Sequence, residues 1–209
     1  MGRRSVHTAE ELRELILTAA TGLIESGGLA SLSAREIARR IEYSPGTLYN
    51  VFENLDDLVL TIEGRMLDAL ADRLSNVSNN SDPRAHVKNL AEAYLQFTHD
   101  NPRLWNLLFE HHLPADRDIP DWYQAKLDDL MGRIETALQP LLPNGNELAL
   151  NRAARVLWAG VHGITTLSTT DKLSTITADS ARPLVDNLVD TYLAGLNHLD
   201  DERATKPSG

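Results

Sequence analysis

Between Ser33 and Phe52 the chain reads SAREIARRIEYSPGTLYNVF. Ser33 is a good helix cap, and the segment through about Arg40 turns Ile37 and Ile41 to one side, as a short helix does. Glu42-Tyr43 leaves room only for a tight connection. Ser44-Pro45 then opens another short helix, since proline suits a first helical turn. This is helix-turn-helix spacing: the second helix can enter the roughly 12 Å wide major groove of DNA while the first crosses the backbone. Ser44, Thr47 and Asn50, with Tyr43 and Tyr49, are suited to close approach to phosphates and base edges. The same pattern also fits an ordinary turn of a helical domain, with Leu48, Val51 and Phe52 in the core and the polar residues solvated.

The flanks extend the helical reading in both directions. Leu12, Leu15, Ile16, Ala19, Leu23 and Ile24 recur at spacings of three and four, with Thr8 as a cap and Gly27-Gly28 as the stop. Asn54 starts a long helix carrying Leu58, Ile62, Leu67, Leu70 and Leu74. Its periodicity breaks over the polar stretch Ser75 to Ser81, and Asp82-Pro83 restarts it. Further helices are expected at about 83–100, 102–112, 119–139, 146–169 and 180–199, with a polar loop at Asp171 to Asp179. The fold class is therefore all-α with about nine helices. The expected organisation is a helix-turn-helix domain at 1–53, a connecting helix at 54–78, a second helical domain at 82–200, and a flexible charged tail at 201–209.

Composition narrows the function. The 209 residues are 42% apolar, enough for a sizeable core, and contain no cysteine, which removes disulfides, thiolate metal sites and cysteine nucleophiles. No apolar run is long enough to span a bilayer and Met1 to Leu17 is too polar for a secretory signal, so a cytoplasmic protein without a membrane partner is expected. The net charge of −10 argues against a polyanionic partner, but it is unevenly distributed. Residues 1–50 carry six basic and six acidic side chains and are neutral; the excess of twenty-four acidic over fourteen basic residues lies beyond them. Arginines on one face of the N-terminal part would still permit DNA binding, while the acidic remainder suppresses indiscriminate contact with phosphate. Gly-x-Ser-x-Gly, His-Glu-x-x-His, Ser-x-x-Lys, phosphate-loop and dinucleotide signatures are all missing, so neither an enzyme nor a cofactor is expected.

Ile16-Leu17-Thr-Ala19-Ala20, Ile37-Ala38, Ser44-Pro-Gly-Thr47-Leu48-Tyr49, Phe52 and Leu58 together resemble the N-terminal domain of TetR/AcrR-type transcriptional regulators, over about residues 8–60. The resemblance implies a dimer that reads a palindromic operator in double-stranded DNA and an inducer-binding C-terminal domain. The positions that match the family's DNA contacts are Ser33, Arg35, Tyr43, Ser44, Thr47, Tyr49 and Asn50. Two positions depart from the pattern. Glu42 stands where the turn usually has glycine, and in a left-handed backbone its Cβ costs about 1–2 kcal/mol. Leu55, followed by Asp56 and Asp57, stands where lysine usually starts the fourth helix, so binding should lean on Arg3, Arg4, Arg35 and the amides at helix starts.

Further along, Ala93 to Phe97, Asn101 to Phe109 and Trp158-Ala-Gly-Val-His162-Gly163-Ile164 resemble the C-terminal domains of a subset of the family, the last segment looking like its Trp/His-Gly signature. Such domains enclose a small-molecule cavity, for which Tyr94, Phe97, Trp105, Phe109, Trp122, Trp158 and His162 are the candidate lining; aromatics at helical spacing are also ordinary core. Glu110-His111-His112 with Asp116, Asp118 and Asp121 hints at a metal, but adjacent histidines on a helix point about 100° apart, and no metal site is expected. The last two helices, about 146–169 and 180–199, carry more apolar residues than one stripe requires, which favours homodimerisation through them over burial within the chain. Together these features read as a ligand-responsive homodimeric repressor. The competing readings are a helical interaction module, or an enzyme, retaining a non-functional helix-turn-helix.

Overall fold

The computed structural model describes residues 7–78 and 81–205; Arg3 and Arg4 lie outside that range. Eight α-helices follow one another, α1 (Ala9–Gly27), α2 (Ala34–Arg40), α3 (Leu55–Ser75), α4 (Pro83–Asp100), α5 (Pro102–Glu110), α6 (Asp121–Leu138), α7 (Glu147–Thr169) and α8 (Ala181–Thr205), with no strand among the described residues. A ninth helix, Pro45–Asn50, lies between α2 and α3 and has 3-10 form. Shorter 3-10 turns occupy Leu29–Ser31, Gln139–Leu141 and Leu173–Thr175.

Helix starts follow local chemistry. The Thr8 hydroxyl accepts from the Glu11 amide while the Glu11 carboxylate accepts from the Thr8 amide, closing a capping box on α1. Ser33 accepts from the Glu36 amide, Asp82 from that of Arg84 and Asn146 from that of Ala149, capping α2, α4 and α7. Gly28 ends α1 at φ 71°, a conformation that glycine adopts without a Cβ clash. At the far end, α8 continues to Thr205, past the residue near Asp200 where the last helix was expected to stop. The charged residues there do not break a helix, and the first breaker in the sequence is Pro207.

The chain divides into two compact units that interleave in sequence, residues 1–66 with 103–123, and residues 67–102 with 124–209. Residues of α5 and the loop after it group with the N-terminal helices. The first unit is built on Ile16, Leu17, Ile24, Ile37, Leu48, Phe52 and Leu58. Burial of a side chain of this size contributes about 1.5–3 kcal/mol. In the second unit α4, α7 and α8 pack on one another. Gly160 allows the α7–α8 approach: a Cβ there would lie 2.8 Å from Leu188 Cδ2.

Candidate nucleic-acid interface

The turn after α2 is closed by the amide of Tyr43 donating to the Ala38 carbonyl at 3.0 Å and that of Ile41 donating to Ile37 at 3.1 Å. The first of these is the wide bond of a Schellman turn, in which the residue after the cap is left-handed, and the second is an ordinary helical bond. Glu42 fills that position with φ 59°. The family backbone is thus kept at the expense of a Cβ in a region that costs an L-residue about 1–2 kcal/mol.

Pro45–Asn50 has three residues per turn as a 3-10 helix, so side chains three apart stand in line. Leu48 points into the core at 2% exposure and Phe52 follows it inward. Ser44, Thr47 and Asn50 form a second row, and the Ser44 and Thr47 hydroxyls lie 3.0 Å apart. Tyr49, 53% exposed, stands beside that row. The amides of Thr47 and Val51 donate to Ser44 and Leu48, three residues back, while Phe52 also reaches the Leu48 carbonyl and so ends the segment on a wider turn.

The remaining candidate contacts are placed by neighbouring elements. Ser33, exposed, spends its hydroxyl oxygen on the α2 cap, and Arg35 is exposed one residue into that helix. The Tyr43 hydroxyl is 2.6 Å from Nδ1 of His7, which brings the residues before α1 to the turn. Arg39 pairs with Glu36 on the same helix. At the start of α3 the Asn54 side chain accepts from the Asp57 amide and the Asp57 carboxylate accepts from the Glu53 amide. Those two donors are engaged within the protein, so the helix start that lacks the family lysine is also less open to phosphate than its dipole alone suggests.

Several supports were not legible beforehand. The Arg13 guanidinium lies over the Phe52 ring. Arg65 forms a two-pronged pair with Glu14, tying α3 to α1. Arg103 donates to the last carbonyls of α1, those of Glu25 and Ser26. A long cation near a helix period gives no warning of which carbonyl or ring it will reach.

Of the candidate ligand-lining residues, the second unit brings three together. The Tyr94 hydroxyl on α4 is 2.8 Å from Nδ1 of His162 on α7, Nε2 of that ring is 3.2 Å from the Thr166 hydroxyl, and Trp158 stacks on it at 5.1 Å with an interplanar angle of 9°. Burial holds the His162 imidazole below its ordinary pKa. Phe97 is buried in the same unit. Trp105, Phe109 and Trp122 belong to the first unit; Trp105 is buried, whereas Phe109 and Trp122 are exposed. A groove of about 490 Å³ in the second unit is lined by Leu74, Ser75, Val77, His86, Leu90, Asp129, Gly132, Arg133 and Thr136, none of them a predicted lining residue. These side chains come from three helices and the bend after α3, and helix periodicity marks only core faces, so the groove carries no sequence signal.

In the last two helices, Leu157 and Val161 of α7 and Val185, Val189 and Leu193 of α8 are buried within the chain. Leu148 and Val156 remain exposed, at 63% and 52%. No helix among the described residues is long and apolar enough to cross a membrane, and no group of three or more potential ligands there is arranged to hold a metal.

A short exposed 3-10 rod, locked from beneath by Leu48 and Phe52 and preceded by a short capped helix, defines a helix-turn-helix protein. Comparison with known proteins agrees. Residues 16–62 match the family described as bacterial regulatory proteins, tetR family, and residues 87–192 match the tetracyclin repressor-like C-terminal domain. The chain belongs to the TetR family of transcriptional regulators, and is a transcription factor rather than an enzyme. It is 24% identical over 168 residues to an uncharacterized HTH-type transcriptional regulator of Mycobacterium tuberculosis, covering 80% of this chain and 75% of the relative. Its fold resembles that of a protein of unknown function from Rhodococcus sp. RHA1, with TM-score 0.75 and 23% identity over 94% of this chain and 100% of that one. It also resembles FadR of Bacillus subtilis, solved with stearoyl-CoA, with TM-score 0.65 and 12% identity over 87% and 98% of the two chains.

Proposed function

We propose that the protein is a cytoplasmic, ligand-responsive homodimeric repressor that reads a palindromic operator through Pro45–Asn50. The observation that carries this reading is the row formed by Ser44, Thr47 and Asn50 with Tyr49 beside it, polar and outward, on a rod whose opposite side is anchored by Leu48. Ser33, Arg35 and Tyr43 supply contacts to the backbone that fix register without reading sequence, and Arg3 and Arg4 add charge from the N-terminus. Two copies of the rod, related by a twofold axis, meet half-sites about 34–36 Å apart.

The copies associate through the outer faces of α7 and α8, where Leu148 and Val156 remain uncovered by the protein's own chain. The effector site lies in the helical bundle of the second unit, with Tyr94, Trp158 and His162 as its polar and aromatic centre and Phe97 nearby; Trp105, Phe109 and Trp122 are the weaker members of the predicted lining. The stearoyl-CoA bound by the FadR neighbour supports a search for an effector in a bundle of this kind. Effector binding favours an arrangement in which the two rods are wrongly spaced for one operator. Tyr49→Ala should weaken the gel shift of the protein on the DNA upstream of its own reading frame while leaving the dimer mass unchanged; an undiminished shift contradicts the contact assignment.

A further inference from the structure

Glu63 of α3 is a charged side chain only 2% exposed, and it lies in the same unit as the reading segment. Its Oε1 is 3.1 Å from Nδ1 of His111, the residue after α5, and the other ring nitrogen of His111 is 3.3 Å from Oδ1 of Asp56. Asp56 and Glu63 are seven residues apart, two turns of helix, and so share a face of α3. His111 therefore bridges two turns of α3 with one ring. A neutral imidazole has one N–H and one lone pair; between two carboxylates, it would set the lone pair against one of them. Only the imidazolium donates to both. The hydrogen bond to Glu63 outweighs burial and holds the His111 proton above the ordinary histidine range, with Asp56 adding to the effect. Tyr123 of α6 adjoins the group: burial, and after it the Glu63 carboxylate, push its phenol well above its usual value.

Among the described residues, the charged groups paired with His111 are Asp56 and Glu63 from α3, and Tyr123 from α6 adjoins Glu63. Beside it, His112 is turned back on the Glu110 carbonyl, and Arg117 pairs with Glu53 at 3.1 Å, closing the loop onto the residues before α3. From Asp56 the connection to the DNA-facing edge is short. Leu55 begins α3 only five residues after Asn50, and Arg13 joins Thr61 of α3 to Phe52.

We propose that His111 is a positioning residue for DNA binding: as an imidazolium strapped across Asp56 and Glu63 it fixes the first turns of α3 behind the reading segment, and losing its proton weakens the hold on duplex DNA. The proposal rests on the DNA-binding reading above. Because the folded state holds this proton more tightly than the unfolded chain, the strap is fully present below about pH 6.5, the ordinary histidine value. It is lost as the pH rises through the higher folded value. Without the proton, the ring can donate to only one of the two carboxylates, and the tie between His111 and α3 is weakened.

The test follows anisotropy of a labelled duplex, carrying the sequence that the protein enriches from a random pool, from about pH 6 to about pH 9 at fixed ionic strength, with the His111 ring resonances read in the same buffers. Wild-type affinity should fall about fivefold or more as His111 titrates, with a midpoint above the ordinary value. His111→Gln should bind more weakly at the acid end and lose this pH dependence, which separates His111 from His7 beside Tyr43. If His111→Gln does not fold, Asp56→Asn, at a site one-third exposed, should move the ring midpoint and the binding profile to lower pH together. Binding that stays constant while His111 titrates, or a His111 midpoint at or below the ordinary value, overturns the proposal alone. A chain that enriches no sequence and binds duplex at no pH overturns the DNA-binding reading and the positioning role with it.

Discussion

The Arg13 guanidinium sits 4.5 Å from the centre of the Phe52 ring, and its Nη2 also donates to the Thr61 hydroxyl at 3.3 Å. One residue of α1 thereby holds Phe52, just after the Pro45–Asn50 helix, and the second turn of α3. Arg13→Ala removes a cation–π contact and a hydrogen bond, and should lower stability by about 1–2 kcal/mol in urea unfolding. Arg13→Lys should recover part of that loss by keeping the charge. An unchanged unfolding midpoint for Arg13→Ala would show that these contacts add nothing to the folded state.

Glu42 occupies the left-handed position of the turn with φ 59°. Glycine removes the Cβ clash but frees the unfolded chain, so Glu42→Gly should give a net gain of about 0.5–1 kcal/mol. Thermal unfolding at matched pH measures it. A lower melting temperature would mean that the Glu42 side chain contributes more than its backbone costs.

Gly160 faces Leu188 across the α7–α8 contact. The first atom that a Cβ meets is the end of a flexible side chain, and alanine recovers about 1 kcal/mol of helix propensity, so Gly160→Ala should be near neutral. Gly160→Val, with two further methyl groups, should cost about 1–3 kcal/mol. Equal melting temperatures for the two variants would contradict this close approach.

His162 is held uncharged by burial in the second unit, so its folded pKa is below the unfolded value of about 6.5. Between the two values the unfolded state binds more protons. Stability should therefore decline as the pH falls from 6.5 through the folded value, a trend that His162→Gln should remove. His111, whose pKa is raised, contributes in the opposite sense and at higher pH. Melting curves of wild type and His162→Gln at a series of acid pH values separate the two contributions; an identical acid decline in both proteins would exclude His162 as its source.

Much of this architecture is legible without coordinates because it is periodic or local. The caps Thr8, Ser33, Asp82 and Asn146, the glycine stop at Gly28 and the spacing from Ile37 to Leu48 each depend on residues close in sequence, and each reports an element boundary or a core face. The left-handed Glu42 follows from the same logic, since a Schellman turn fixes the backbone whatever side chain is present. Contacts between distant residues behave differently. Nothing near His111 in sequence announces Asp56 or Glu63, because the ring meets them only once α5 has been folded against α3. Composition likewise could not distinguish Trp105, buried in the first unit, from Tyr94, bonded to His162 in the second. The 3-10 form of Pro45–Asn50 leaves no mark in the sequence beyond that of a short helix, since six residues are too few for the hydrophobic period to separate 3.0 from 3.6 residues per turn.

The central claim is that the outer edge of Pro45–Asn50 reads DNA sequence, presented twice by a dimer. The most direct measurement is an unbiased selection of duplexes retained by the purified protein, run in parallel with Asn50→Ala. Wild type should enrich a twofold-symmetric site with half-sites about one helical turn, or a multiple of it, apart. Asn50→Ala should lose preference at one symmetric pair of positions while keeping the same half-site spacing. Enrichment of no sequence, or the same preferences in the variant with every one of Ser44, Thr47, Tyr49 and Asn50 replaced by alanine, would contradict the claim.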